Sequence, residues 1–298
     1  MKTKYQITII YIFLILLIIL IVINHKKTKK DPSIDKNYLS TYFSIEEINY
    51  IINNNIDVEE IKPYLKYKNF NIYNFQNYQK IKAKYNLSHL ESLNYSNHPN
   101  YYNFYHQPKP ALFLETPYTL VNKCFYLEHD FIPNELRNVK EYDIKYIIRK
   151  DEEILLKQEV LEQYQLMYND AHNDGIELCI YSGYRSYKKQ EYLYYQVYYM
   201  DDSISARPGF SEHQTGYALD ISISSIGLTE YFAQTASYKW LINNSYKYGF
   251  ILRFPKGKEK YTSYQFEPWH FRYVGKIAKE INFQGLTLEE YIFSNFEI

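Results

Sequence analysis

The spacing between apolar residues changes along the chain, and in the first part of the chain this spacing is helical. Between residues 40 and 106, isoleucines recur at helical intervals from Ile45 to Ile61, which is typical of amphipathic helices. The segments SIEEI and DVEEI begin with Ser44 and Asp57, two residue types that cap helix N-termini. This pattern predicts several short helices.

Beyond residue 110 the pattern mixes helical and strand periods. Residues 152–173 have apolar positions at helical spacing, and the Asp-Gly pair that follows is a typical helix end. The remaining predicted elements are the strands IELCIYSG, YALDISIS and FEPWHFRYV and the helices that run from YRSYKKQ to Tyr199 and over residues 238–248. This mixture predicts a domain of the α+β class.

A proline-containing segment separates the two regions. QPKPALFLETP, at residues 107–117, favours an extended linker. All 9 glycines lie at or after Gly175, so the two halves differ in composition as well. The predicted parts are an N-terminal signal anchor at 1–30, a helical spacer or accessory region at 31–110 and an α+β domain at 111–298.

The first of these parts contains the longest apolar stretch of the chain. Residues 7–23 carry no charge and reach the lower length limit for a helix that crosses a bilayer. No small-residue cleavage pattern follows, so we predict an uncleaved signal anchor over a cleaved secretory signal. More lysines follow the stretch than precede it, which by itself favours a body inside the cell. The orientation must therefore be argued from function.

Composition and charge narrow the classes of function. The 34 Lys and Arg residues of this 298-residue chain balance 34 Asp and Glu residues, so no overall positive field attracts nucleic acid. With 46% hydrophobic residues and a mean hydropathy of -0.48, the chain is neither disordered nor a polytopic membrane protein. Cys124 and Cys179 can form at most one disulfide. Cys179 lies in an apolar run, where we expect a buried core residue.

Two histidines and two carboxylates stand in two short motifs. SEHQTGYALD contains His213 and Asp220, and EPWH contains Glu267 and His270. Imidazole nitrogens with one carboxylate oxygen suit Zn²⁺, and three protein ligands leave a fourth position for water. Glu267 is then left as a general base. Alternation along a strand would point it away from His270 unless Pro268 bends the chain.

A third motif, SGYRSYKKQ, places Arg185 in a polar turn between a predicted strand and a predicted helix. A guanidinium can hold a free C-terminal carboxylate or stabilise an oxyanion. Ser186, Gln190 and Ser211 are polar residues close to these motifs. Each motif also has an ordinary explanation, because a lone histidine in an apolar strand is often a core group and an arginine can cap a helix or pair with a surface carboxylate.

The motifs as an ordered set resemble those of a known family. SGYRSYKKQ, PGFSEHQTGYALDIS, YGFILRFPKGKE and EPWHFRYVG are similar to segments of the VanY-type zinc D-alanyl-D-alanine carboxypeptidases, a group that also includes L,D-carboxypeptidases of bacterial walls. The resemblance covers about residues 118–292. It implies a small α+β domain with a central antiparallel sheet and one zinc ion.

The resemblance also implies a role for each motif residue. The implied zinc ligands are His213, Asp220 and His270, the implied catalytic residues are Glu267 as general base and Arg185, and the implied substrate-binding residues are Arg185, Ser211, Gln190 and Ser186.

The sequence therefore predicts a membrane-anchored zinc carboxypeptidase that removes the C-terminal D-Ala from peptidoglycan stem peptides or their precursors. An L,D-carboxypeptidase or a stem-peptide endopeptidase on the same scaffold has the same ligands, and a non-catalytic wall-binding protein is a further alternative. The expected partners are the stem peptide and, through the N-terminal helix, the membrane. Because the substrate lies outside the bacterial cell membrane, we expect a single-pass protein with an extracellular catalytic domain. No motif assigns a role to residues 40–106.

Overall fold

The computed structural model describes three stretches of the chain, which fold into two compact units. The described residues are 36–99, 103–148 and 152–296. The first unit extends to Lys66 and adds Asn71–Phe75, and the second consists of Tyr67–Phe70 and the chain from Gln76 on. The boundaries predicted near residues 30 and 110 rest on the sequence and stay predictions.

The fold class predicted from the sequence included a membrane-spanning helix, and this element is corrected. Among the described residues, no helix is both long enough and apolar enough to cross a membrane. The predicted span, about residues 7–23, lies outside the described residues. The membrane contact expected through that helix is likewise unsupported. The corrected fold class is an α+β peptidase fold.

The first unit is built from short helices that begin at the predicted capping residues. Its helices are α1 (Lys36–Leu39), α2 (Ile45–Asn53) and α3 (Val58–Ile61), followed by 3₁₀ turns at Lys62–Tyr64 and Ile72–Asn74. The Ser44 hydroxyl accepts the backbone N–H of Glu47 at the start of α2. The Asp57 carboxylate accepts the N–H of Glu59 at the start of α3. These bonds satisfy N–H groups that a helix leaves free, and the predicted short helices are confirmed.

The second unit contains the sheets and the longer helices. The helices that follow are α4 (Phe75–Tyr85), α5 (His89–Asn97), α6 (Gln158–Asn173), α7 (Tyr187–Tyr192), α8 (Ala236–Asn244), α9 (Glu259–Thr262), α10 (Ala278–Gln284) and α11 (Leu288–Asn295), and the strands are β1 (Lys109–Pro110), β2 (Phe125–Tyr126), β3 (Leu136–Asn138), β4 (Leu155–Lys157), β5 (Cys179–Ser182), β6 (Ala218–Ser222), β7 (Phe250–Leu252) and β8 (His270–Tyr273).

The main sheet of the second unit has the strand order β5-β6-β8-β7, and each neighbouring pair is antiparallel. Every residue of β6 is buried, because β6 lies between β5 and β8 and its Leu219 and Ile221 pack into the hydrophobic core. The central antiparallel sheet implied by the resemblance is therefore present. The sheet also contains Cys179, which is buried and free, as is Cys124, so the two cysteines form no disulfide.

Helix α6 covers the sheet with the apolar face that the sequence indicated. Val160, Tyr164, Met167 and Ala171 recur at helical spacing and are buried in the same core as the sheet residues. The predicted start of this helix was wrong, because Leu155–Lys157 form strand β4 and pair with β3. Cross-strand pairing competes with helix propensity in a short segment, and here the pairing prevails.

We expect Glu91→Gln to destabilise the protein at neutral pH and to have little effect in acid. Burial opposes ionisation of Glu91, but hydrogen bonds from Lys260, Tyr261 and Ser88 outweigh it and lower the pKa to about 2. The folded-state pKa is thus below the unfolded value of 4.5, so the stabilisation is present above that value and is lost as the pH falls towards the folded pKa. We expect a loss of about 1 kcal/mol near neutral pH.

Urea unfolding across this pH range measures the difference between the two proteins. Glu59→Gln is the matched control, since Glu59 forms an exposed ion pair with Lys62 and its removal should change the free energy of unfolding by less than about 0.5 kcal/mol. A loss for Glu91→Gln that is the same at every pH would contradict this account.

Candidate functional site

Two neighbouring strands and the turn before one of them bring the predicted metal ligands together. Asp220 in β6 lies directly opposite His270 in β8 in the antiparallel register. His213 lies on a 3₁₀ turn, Glu212–Thr215, that ends at Gly216 with φ of 73°. Glycine adopts this left-handed conformation without strain, and the turn it permits folds His213 back towards Asp220.

The three side chains form a compact set of metal-donor atoms. One ligand atom from each of His213, Asp220 and His270 lies within 4.8 Å of the others, and all three residues are buried. His213 Nε2 lies 3.5 Å from Asp220 Oδ2, and His270 Nδ1 lies 3.1 Å from Asp220 Oδ1. The other ring nitrogen of His213 lies 2.7 Å from the carbonyl oxygen of Gly183, which leaves Nε2 for a metal. Two imidazoles and one carboxylate fit zinc.

The electrostatics of this set favour positive charge between the three groups. Burial opposes ionisation of Asp220, but both histidines outweigh it and hold the pKa of its carboxyl well below the usual range. Burial and then Arg185 lower the pKa of His213, which favours the neutral imidazole. Burial also acts to lower the pKa of His270, but Asp220 and Glu212 raise it to about 9. The carboxylates of Asp220 and Glu212 thus favour positive charge at His270.

Glu267 lies on the same side of the chain as His270, despite the alternation expected of a strand. Its Oε2 is 3.7 Å from His270 Nδ1. The reason is a tight turn before β8, in which the His270 N–H donates to the Glu267 carbonyl and Pro268 and Trp269 occupy the corner. Burial raises the pKa of Glu267 to about 7, with repulsion from Asp220 adding to it and attraction to His270 opposing it. A carboxyl with this pKa can accept and return a proton near neutral pH.

Arg185 is held in the wall of the same site by neutral partners. Its Nη1 donates to Gln190 Oε1 at 2.8 Å and its Nη2 to Ser182 Oγ at 3.4 Å. Gln190 is fixed in turn, because its Nε2 donates to the Ala206 carbonyl at 2.7 Å. Within the described ranges, no carboxylate lies in ion-pair contact with Arg185. The guanidinium therefore has donors to spare for a bound anion.

These groups line one cavity of about 400 Å³. Arg185, Gln190 and Ser211 are in its wall together with the three metal-donor residues and Glu267, and aromatic side chains complete it: Tyr198, Phe254, Tyr264, Phe266 and Trp269. Ser186 is placed differently from the prediction. Its hydroxyl accepts the Lys189 N–H as the cap of α7, and it does not belong to the described lining of the cavity.

A group of buried charges behind His270 was not predicted from the sequence. Glu212 Oε1 lies 2.6 Å from Arg253 Nε and 3.2 Å from Arg272 Nη1. All three residues are buried. The available signal was the occurrence of arginine within the apolar runs FILRF and WHFRYV, since a buried arginine requires a carboxylate partner.

Comparison with known proteins identifies the family. Residues 153–276 match the VanY family, described as D-alanyl-D-alanine carboxypeptidase. Over 185 residues the chain is 41% identical to YodJ of Bacillus subtilis (strain 168), and the alignment covers 59% of this chain and 67% of YodJ. The chain belongs to the VanY family.

Two further relatives agree with this membership. The D-alanyl-D-alanine carboxypeptidase of Enterococcus faecium is 35% identical over 180 residues, which cover 58% of this chain and 56% of the enterococcal protein. The structure of the LdcB LD-carboxypeptidase is 39% identical, has a TM-score of 0.56, and corresponds to 64% of this chain and 95% of LdcB. The predicted VanY resemblance, the zinc cofactor and the carboxypeptidase class are confirmed.

Proposed function

We propose that this VanY-family protein is a zinc-dependent carboxypeptidase that removes the C-terminal D-alanine from peptidoglycan stem peptides or their precursors. The observation that carries the proposal is one cavity that holds a three-residue metal-donor set, the buried carboxyl of Glu267 and the guanidinium of Arg185. The metal-donor set and Glu267 suit amide hydrolysis. Arg185 suits a substrate with a free terminal carboxylate.

His213, Asp220 and His270 would hold the zinc ion. Zinc bound by three protein groups supplies a Lewis acid for the scissile carbonyl and lowers the pKa of water. Glu267 accepts the proton from the attacking water and donates it to the leaving amine, a role that suits a buried carboxyl whose pKa burial raises. Arg185 binds the terminal carboxylate or stabilises negative charge on the substrate, and Gln190 holds the guanidinium in place.

We expect Arg185→Lys to weaken recognition of the free C-terminus. Lysine keeps the positive charge but loses the planar fork and its contact with Gln190, so kcat/KM should fall by about 10- to 100-fold, mainly through KM. Steady-state kinetics on a stem pentapeptide measure this change. Arg137→Lys, an exposed substitution on β3, is the control and should behave as the parent protein.

A peptide with an amidated C-terminus tests whether the lost contact is with the carboxylate. The parent protein should lose activity towards the amide, and Arg185→Lys should lose little more on this peptide. A full additional loss on the amidated peptide would contradict the carboxylate-binding role of Arg185.

We expect kcat/KM to decrease on the acid side of neutrality. A general base acts when it is ionised, so activity is present above the pKa of Glu267 and should fall about tenfold per pH unit below it. Burial raises that pKa to about 7, and a bound cation lowers it, so the midpoint should lie at or below about pH 7. A pH–rate profile provides the measurement. A profile with no acid-side decrease at any pH at which the protein stays folded and keeps its zinc would show that Glu267 is not the base.

A stem tetrapeptide is the second candidate substrate. The observation that favours it is the similarity to LdcB, an LD-carboxypeptidase, over 95% of that structure. Separate incubation of the zinc-loaded protein with pentapeptide and tetrapeptide distinguishes the two, because each releases D-alanine from a different bond.

A location of the catalytic domain outside the cell membrane follows from either substrate and stays a prediction. Cleavage of the domain by protease added to intact protoplasts would support that location.

A further inference from the structure

A line of buried charged side chains connects the C-terminal helix to the metal-donor set. Arg253 donates through Nε to Glu212 Oε1 at 2.6 Å. Its other two nitrogens donate to both oxygens of Glu289 in α11, at 2.9 and 2.5 Å. Asn122 also donates to Glu289, at 3.0 Å. The side chains of Arg253, Glu212 and Glu289 are at most 3% exposed, so the whole line is shielded from solvent.

The free oxygen of Glu212 ends this line at His270. Glu212 Oε2 lies 3.5 Å from His270 Nε2. Neither atom has a hydrogen-bond partner among the described residues, although both are buried. The opposite ring nitrogen, Nδ1, faces Asp220. The imidazole of His270 is therefore placed between the metal-donor set on one side and the carboxylate of Glu212 on the other.

We propose that Glu212 is a positioning residue for the zinc ligand His270, and that Arg253 and Glu289 hold Glu212 in place. A metal-bound histidine is usually oriented by a carboxylate or carbonyl that accepts its second N–H. Such an acceptor fixes which ring nitrogen is free for the metal and raises its basicity. For His213 the Gly183 carbonyl is in this position, and for His270 the carboxylate of Glu212 is.

A simpler explanation is that these buried charges only stabilise the core. The free-energy cost of burying charges makes that explanation less satisfactory. Taking several charges out of water costs several kcal/mol per ion, and apolar residues of similar volume often stabilise a core equally well. Two arginines on one carboxylate hold Glu212 in a single orientation. Glu289 lies beyond residues 153–276, the part that matches the VanY family. The proposal thus assigns α11 an indirect part in metal binding, and it rests on the proposed zinc-dependent function.

The first test is the zinc affinity of Glu212→Gln, measured by competition with a coloured chelator. Glutamine keeps the shape of the side chain. Because it is neutral and also faces two arginines, it accepts a hydrogen bond from the His270 imidazole less strongly than the carboxylate does. We expect about 10- to 100-fold weaker zinc binding. We also expect an altered visible absorption spectrum of the Co²⁺-substituted protein, because the spectrum reports ligand orientation. Circular dichroism of the metal-free variant establishes whether it is folded.

The second test uses two adjacent glutamates of α11. Glu289→Gln weakens the bidentate contact with Arg253, whereas Glu290→Gln weakens an ion pair with Lys258 at 2.8 Å that does not lead to His270. Both glutamates are buried, and thermal unfolding of the two metal-free variants measures how much stability each one loses. We expect weaker zinc binding and a changed Co²⁺ spectrum for Glu289→Gln, and parent values for Glu290→Gln.

Two results would overturn the proposal. One is a folded Glu212→Gln that binds zinc with the parent affinity and gives the parent Co²⁺ spectrum. The other is an equal loss of zinc affinity in Glu289→Gln and Glu290→Gln, which would indicate general destabilisation. If Glu212→Gln does not fold, the comparison of the α11 variants decides. Zinc affinity is measured without any peptide, so failure of the proposed substrate would leave these results separately interpretable.

Discussion

Replacing Glu267 by glutamine should lower kcat by about 10²- to 10⁴-fold while zinc remains bound. Glutamine is nearly isosteric but cannot accept the proton of the attacking water or return it to the leaving amine. Glu267 is not in the metal-donor set, so its loss should leave metal content unchanged. The decisive comparison is between kcat and zinc stoichiometry in the same preparation.

Two controls complete this experiment. Glu191→Gln replaces an exposed glutamate of α7 and should retain parent activity. Glu267→Asp should recover part of the rate, because a shorter carboxylate can still act as a base at a poorer distance. If Glu267→Gln keeps parent activity with zinc bound, a different residue transfers the proton and the proposed mechanism is wrong.

Asp220→Ala should abolish both zinc binding and hydrolysis. Asp220 is placed between the two histidines, at 3.5 Å from His213 and 3.1 Å from His270, and it supplies the negative charge of the set. Loss of this ligand leaves two imidazoles, which are insufficient for a stable zinc site. We expect less than about a tenth of the parent zinc content after dialysis and a loss of activity of at least about 10³-fold.

The control for this variant is Asp130→Ala, which changes an exposed loop residue and should keep zinc and activity. Thermal unfolding of the metal-free proteins shows whether Asp220→Ala is folded. Zinc content and affinity equal to those of the parent protein would remove Asp220 from the metal site.

Most residues predicted for the candidate site line one cavity, and they stand in short motifs of the sequence. His213 and Asp220 are separated by one glycine-terminated turn, so their proximity depends on local conformation. Their approach to His270 depends on the pairing of β6 with β8, which no spacing reveals and only the resemblance implied. The turn at Pro268 similarly decides the side on which Glu267 lies.

Other parts of the fold depend on distant contacts that sequence patterns do not record. Leu155–Lys157 continue the helical spacing of α6 but pair with β3. Ser186 was grouped with the substrate-binding residues because it is next to Arg185, yet it caps α7. Glu212 stands inside a recognised motif, but its role depends on Arg253 and Glu289, which are 41 and 77 residues away in the chain. The predicted membrane span is outside the described residues.

Release of D-alanine from defined stem peptides tests the central claim most directly. The zinc-loaded protein is incubated separately with pentapeptide and tetrapeptide, and the released amino acid is followed by mass spectrometry, with Glu267→Gln as the inactive control. We predict release of D-alanine from the pentapeptide and none with the control. Release from the tetrapeptide alone would change the assignment to L,D-carboxypeptidase. Absence of release from both peptides, with zinc shown to be bound, would contradict the carboxypeptidase function.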